Sequence, residues 1–346
     1  MFLAATAMAE PVDFSGQRIQ ITVPTAAGGG SDTYARFLAP ILSKHLPGNP
    51  TIIVENVPGA GAIAGSNQFQ DRAKPDGTDL IVAAASVMTN FVFKDERGHY
   101  KLDTWIPVIS TASGTVVYGR TDLGIKSSDD VEKLKDKELI LGANNPTGGD
   151  LRVLLSLDLL GFRIKPVFGM NRGEIQPSFE RGEFNINFDM PQGSDMVSRG
   201  DAVPLFSLGY VNEKGEYGRD PLYPDVPSFL ELYERLHGQP LSGDARAAWE
   251  TIFYLNVMAS RAIMLPAGTP QEIVDTYVKA MDDSMAEMNA DPKLKEAAFA
   301  PDGAWGPGPH VTGVAAVNNT QKALKFDDAA LTWLKNWLKT KFDTDL

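Results

Sequence analysis

The chain has 346 residues, 43% hydrophobic and 22% charged, the profile of a folded globular protein of about two domains and not of a disordered one. Its net charge of −12 excludes a general binder of nucleic acid or anionic membrane, since both need a basic field to gain affinity. With no cysteine, thiol nucleophiles, disulfides and Cys-ligated metal sites are excluded too.

Residues 1–9, MFLAATAMA, are small and apolar and end in Ala7-Met8-Ala9, which fits the last part of a secretory signal with a cleavage site before Glu10. The basic start of such a signal is missing, so the stretch reads as a truncated one; an ordinary loose N-terminus is the plainer alternative. No other segment is expected to span a bilayer, because 252–265 is too short and contains Arg261.

Ile19, Ile21 and Val23 alternate with polar residues as one face of a strand, and Pro24 breaks it. Gly28, Gly29 and Gly30 follow, and Ser31 or Asp32 opens an amphipathic helix over 31–46 that carries Tyr34, Phe37, Leu38, Ile41 and Leu42. Pro40 predicts a kink or a lost turn in it. A glycine loop at a helix start lets backbone N–H groups and the positive end of the dipole converge on a small anion. A tight strand-to-helix turn is the plainer reading of the same three glycines.

The pattern then recurs. A β-branched run at 51–55 leads into NVPGAGAIAGSNQF from Asn56, and after a turn at 74–77 a buried strand over 79–85 ends at Ser86. Two such loops at the carboxyl ends of neighbouring parallel strands face one crevice. Residues 105–119 hold further strand-like positions, including Val116, Val117 and Tyr118, and 127–130 cap a helix with Val131 and Leu134. A strand at 139–142 enters a third loop, 143–150, before a helix with Leu151, Val153, Leu154, Leu155 and Leu159. Strands at 164–167 and at 184–188, the latter ending at Asp189, enclose a helix at 174–181 and make a second α/β unit. Proline-punctuated loops occupy 214–227, a helix lies within 241–254, and 255–265 is expected to be extended. A turn at 266–270 introduces a helix with Ile273, Val274, Tyr277, Val278, Met281 and Met285, and a last helix over 326–337 carries Trp333, Leu334 and Trp337 on one side.

Catalytic patterns are absent. His45, His99, His237 and His310 are scattered, no HxxH, HExxH or G-x-S-x-G occurs, and Gly28 to Gly30 lack the downstream Gly-Lys-Ser/Thr of a P-loop and the spacing of a dinucleotide site. A nucleotide- or phosphate-binding α/β enzyme using the glycine loop is the alternative to a binding protein. No metal and no cofactor are expected.

PTAAGGGSDTYAR from Pro24, VENVPGAGAIAG from Val54 and KPDGTDL from Lys74 resemble, in order and spacing, the signature of the periplasmic solute-binding proteins of tripartite tricarboxylate transporters, the Bug-type receptors. The loop and helix over 142–155, YPDVPS from Tyr223 and LPAGTP from Leu265 extend the resemblance over most of the chain. It departs from the family at FGMNRG from Phe168 and in a longer 230–256 region.

The resemblance implies an α/β, two-lobed type II periplasmic binding protein fold with a ligand cleft between the lobes. Lobe 1 would comprise 10–119 plus 262–346 and lobe 2 120–261, with hinge strands near 118–121 and 258–265. It implies a periplasmic receptor, monomeric and not an enzyme, that takes a di- or tricarboxylate or an aromatic carboxylate to the membrane components of such a transporter. The expected ligand-binding residues are Thr25, Ala27, Gly28, Gly29, Gly30 and Ser31 from the first loop, and Pro58, Gly59, Ala60 and Gly61 from the second. Ser86, Asn144, Thr147, Gly148, Met170, Asn171 and Asp189 complete the set. Arg172 ranks below the backbone donors, and Asp32, four residues before Arg36, is expected to pair with it or accept loop N–H groups and so shape the cradle.

Overall fold

A computed structural model describes residues 12–170, 172–189, 195–212, 215–221, 223–299, 305 and 310–345; the expected signal remnant at 1–9 lies outside them. The first third alternates strand and helix: β1 (Arg18–Val23), α1 (Gly30–His45), β2 (Thr51–Asn56), α2 (Ile63–Arg72), β3 (Asp79–Ala84) and α3 (Ala85–Val92). Next come β4 (Ile106–Thr111), β5 (Val116–Arg120), β6 (Glu138–Gly142), α4 (Leu151–Leu159), β7 (Arg163–Val167), α5 (Arg172–Glu180) and β8 (Ile186–Asp189). The segment to the second crossover holds α6 (Asp195–Arg199), β9 (Ala202–Ser207), β10 (Tyr210–Val211), β11 (Tyr217–Gly218), α7 (Phe229–His237) and α8 (Gly243–Phe253). The chain finishes with β12 (Arg261–Leu265), α9 (Gln271–Ala290), α10 (Pro292–Phe299), β13 (His310–Thr312), α11 (Gly313–Leu324) and α12 (Asp328–Phe342).

The first sheet has the order β13-β4-β12-β3-β1-β2, with β1 parallel to β2 and β3, and β12 antiparallel to β3 and β4. The alternation of Ile19, Ile21 and Val23 buries one face of β1 under α1, which contributes Tyr34, Leu38 and Leu42 to the same core. In the second lobe β5 lies between β8 and β9, and β6 pairs with β7. Asn185 stitches these pieces together: its Oδ1 accepts from the Ile140 N–H at 2.8 Å and its own N–H donates to the Ile140 carbonyl at 3.1 Å. Among the described residues no helix is long and apolar enough to cross a membrane.

Three expectations change here. Helix α1 runs unbroken through Pro40, because Pro40 and Arg36 both lie on its exposed side, where water can serve the carbonyl that proline leaves unbonded. The short helix expected after 127–130 is a tight 3-10 run over Ser128–Leu134, capped by the Ser127 side chain. Residues 255–258, expected to be extended, continue α8 as a π-turn, Tyr254–Met258, and strand geometry begins only at Arg261. β4 and β12 belong to the six-stranded sheet and β5 to the three-stranded one, so the chain leaves the first sheet at 112–115 and rejoins it at Arg261.

The C-terminal helix does not pack on the sheet that precedes it. Trp337 donates its indole N–H to Asp158 at 2.7 Å, Lys341 pairs with the same carboxylate at 2.7 Å, and α12 lies against α8 of the second lobe. Trp337→Phe, which keeps the ring and removes the donor, should lower the unfolding free energy by about 1–2 kcal/mol in urea melts.

Candidate functional site

Because β1, β2 and β3 are parallel, their carboxyl ends open on one edge of the sheet, and each is followed there by a helix start. The antiparallel β12 begins at that edge, with Arg261 paired to Ala84 of β3 and to Thr111 of β4.

Of the first-loop residues, Ala27 to Gly30 are exposed and Ser31 is buried. No side chain caps α1. Gly28, at φ +79°, donates its N–H to Asp32 Oδ2 at 2.8 Å. Among the described residues the N–H groups of Gly29, Gly30 and Ser31 have no partner. Asp32 Oδ1 accepts from Arg36 Nε at 2.9 Å. Burial alone would raise the Asp32 carboxyl, but the bonds from Arg36 and Gly28 outweigh it and hold the group below its usual range. Arg36 also reaches Asn56 Oδ1 at 2.9 Å, and Asn56 Nδ2 donates to the Thr25 carbonyl at 3.1 Å. One network therefore fixes the first loop to the end of β2. Within it the Thr25 hydroxyl is buried without a hydrogen-bond partner among the described residues.

The second loop is wound more tightly. Ala60, Gly61 and Ala62 stand at φ +48°, +68° and +86°, and two of these are alanines held in a region that costs roughly 1–2 kcal/mol for a residue with a Cβ. Pro58 to Gly61 are exposed, and the N–H groups of Gly59, Ala60 and Gly61 have no partner among the described residues. Asn90 of α3 donates to the Gly61 carbonyl at 2.7 Å, tying the loop to the third helix start, where Ser86 lies in the first turn.

Arg261 is the residue that sequence reasoning missed. A methyl group on Gly30 would stand 2.8 Å from one of its terminal nitrogens, and its guanidinium lies 5.8 Å from the centre of the Tyr34 ring. Desolvation pulls its pKa down, with Tyr34 opposing. Among the described residues it has no hydrogen-bonded or ion-paired partner. Burial pushes the Tyr34 hydroxyl, bonded to Thr111 at 3.0 Å, up to about 12, so that ring is neutral. The sequence mark was a lone charge inside the apolar run 252–265.

In the second lobe Asn144, Thr147, Gly148 and Met170 come together around the loop before α4. Asp150 Oδ2 accepts from the Asn144 N–H at 2.6 Å, as Asp32 does in the first loop. Asn145, also missed, takes the Thr147 N–H at 3.1 Å, and Asn144 Nδ2 approaches the Met170 carbonyl at 3.4 Å. Asp189 ends β8 opposite Val116. Asn171 and the side chains of Arg172 and Asp189 lie outside the described residues. No group of three or more His, Asp or Glu side chains is gathered for a metal among the described residues.

No family model matches the chain. Among curated proteins, the UPF0065 protein of the TAR-I ttuE-ttuC' intergenic region of Agrobacterium vitis is 28% identical over 218 residues, which is 62% of this chain and 60% of that relative's length. Protein BugT of Bordetella pertussis is 35% identical over 89 residues, 25% of this chain and 26% of its own. Among solved structures, a TctC solute-binding protein from Polaromonas superposes with a TM-score of 0.67 at 19% identity, covering 92% of this chain and 98% of that one. The Rpa4515 protein of R. palustris, solved with adipate, gives 0.60 at 17% identity, covering 93% and 97%. The chain is thus similar in sequence to the UPF0065 and BugT proteins and has the two-lobed fold of the TctC solute-binding protein.

Proposed function

We propose that the chain is an extracytoplasmic solute-binding receptor, not an enzyme, which closes two lobes on a small organic carboxylate and delivers it to the membrane components of a tripartite tricarboxylate-type transporter. The observation that carries this reading is the set of unpaired N–H groups at Gly29 to Ser31 and Gly59 to Gly61, presented from two linked loops at one sheet edge. The adipate held by a fold neighbour supports a carboxylate as the ligand class. The polar residues of the 144–148 loop offer the second lobe's contacts, which closure requires, since a ligand shifts a two-state equilibrium only through differential affinity.

The nucleotide alternative finds no support in the loop, which has no downstream Gly-Lys-Ser/Thr to hold a polyphosphate. In calorimetry and thermal melts, adipate or a related acid is expected to bind and raise the Tm, with no turnover of ATP or GTP. Gly29→Val tests the cradle in the same assay. A Cβ at Gly29 meets only the Ala26 carbonyl, at 3.4 Å, so the variant should fold while its added bulk blocks the anion. Undiminished affinity in Gly29→Val would count against the cradle, and nucleotide turnover against the receptor.

A further inference from the structure

The charges around Arg261 do not balance among the described residues. Its guanidinium is largely buried, beside the uncapped start of α1, so a full positive charge and the positive end of a helix dipole face the same small volume. Two like charges brought out of water repel each other, and each has lost hydration. A counter-ion from the protein would resolve this, but none of the described residues supplies one. Tyr34 is neutral, Asp32 is committed to Arg36 and the Gly28 N–H, and no carboxylate of the described residues pairs with Arg261.

We propose that Arg261 forms a direct ion pair with a carboxylate of the ligand, and that this pair, not backbone amides alone, selects an anion in the first lobe. The assignment rests on the receptor reading above and names a specificity-determining residue for it. Access is open: Arg261 keeps an edge to solvent, and Gly29 and Gly30 beside it are exposed. A planar guanidinium offers a carboxylate two parallel N–H bonds, while the N–H groups of Gly30 and Ser31 approach from the helix side. Gly30 has its own part in this arrangement, because any side chain there would stand where the guanidinium lies.

The pair also answers an electrostatic objection. A chain of net charge −12 repels an approaching anion, and the compensating charge has to be local. Arg261 supplies it at the position where the loops converge. The ligands chosen are then those with an ionised acid group, and the corresponding amides are rejected even though they have the same shape.

The test uses the full chain and a panel of adipate, malate, citrate and benzoate, titrated by calorimetry. With the tightest binder, Arg261→Gln is expected to weaken affinity about 100-fold, whereas Arg261→Lys, which keeps a charge without the fork, should lose about tenfold. The neutral amide of the same acid should bind wild type and Arg261→Gln equally weakly. Without ligand, Arg261→Gln should melt at or above the wild-type temperature, because it removes an uncompensated buried charge. Full affinity in a folded Arg261→Gln would overturn the ion pair and leave the receptor reading standing. A lowered melting temperature with full affinity in Arg261→Lys would make the arginine structural and overturn the pair as well. No binding of any of the four acids to wild type would overturn both.

Discussion

Gly65→Ala should lower the unfolding free energy by about 2–3 kcal/mol, more than most single-methyl additions. A Cβ at Gly65 would stand 2.6 Å from the Val57 carbonyl oxygen and 2.9 Å from the Pro24 Cα, both backbone atoms that no rotamer change can move aside. The helix gains roughly 1 kcal/mol of propensity from alanine, which the collision exceeds. Since Pro24 and Val57 begin the first and second loops, α2 can retreat only by pulling the two loops apart, so affinity for the carboxylate should fall along with stability. Gly28→Ala is the contrast. Nothing lies within 4 Å of its Cβ position, and the cost there is left-handed strain alone, about 1–2 kcal/mol. Urea melts of the two variants separate crowding from strain; equal destabilisation would refute the close contact at Gly65.

Asp32→Ala should cost about 2–3 kcal/mol, because it removes charge-assisted bonds to the Gly28 N–H and to Arg36. Asp32→Asn, which keeps one acceptor, should lose roughly half as much. Asp32→Ala also frees the Gly28 N–H and releases the link that runs through Arg36 and Asn56, so the first loop should widen and its ligand affinity drop. The carboxyl is held below its usual value in the folded protein, so its contribution is complete above the unfolded value near pH ~4 and is lost as pH falls through the lower folded one. Wild type should therefore lose its advantage over Asp32→Asn on acidification below about pH 4. A stability gap that persists unchanged at pH ~2.5 would sink this account of Asp32.

What the sequence made legible depends on how local the cause is. The strand, loop and helix around Gly28 follow from alternation, a proline and three glycines within one stretch, and the pairing of Asp32 with Arg36 follows from i,i+4 spacing. The 255–258 turn reads as extended in the sequence because a short apolar run carries no period that separates strand from helix. Val116 and Val117 read as strand positions and are so, but the sequence does not show that β5 pairs with β8 and β9, away from β4. The three residues of β13 are a strand only because β4 lies beside them. Arg261 belongs to the same class: its partners Gly30 and Tyr34 are distant in the chain, and only the sheet brings them together.

The placement of α12 changes what kind of joint connects the lobes. Helix α11 lies on β4 of the first sheet, and three residues later α12 is fastened to α4 and α8 of the second lobe through Asp158 and its own apolar face. The two sheets are thus linked by the segments 112–115 and 259–260, and residues 325–327 add a third link between α11 and α12. Two crossings alone form a swivel that can twist as well as bend; a third tether, set apart from them, removes the twist and leaves bending. In the receptor reading proposed above, that tether would limit how far an empty cleft opens, and so how much of the ligand's binding energy goes into closing it.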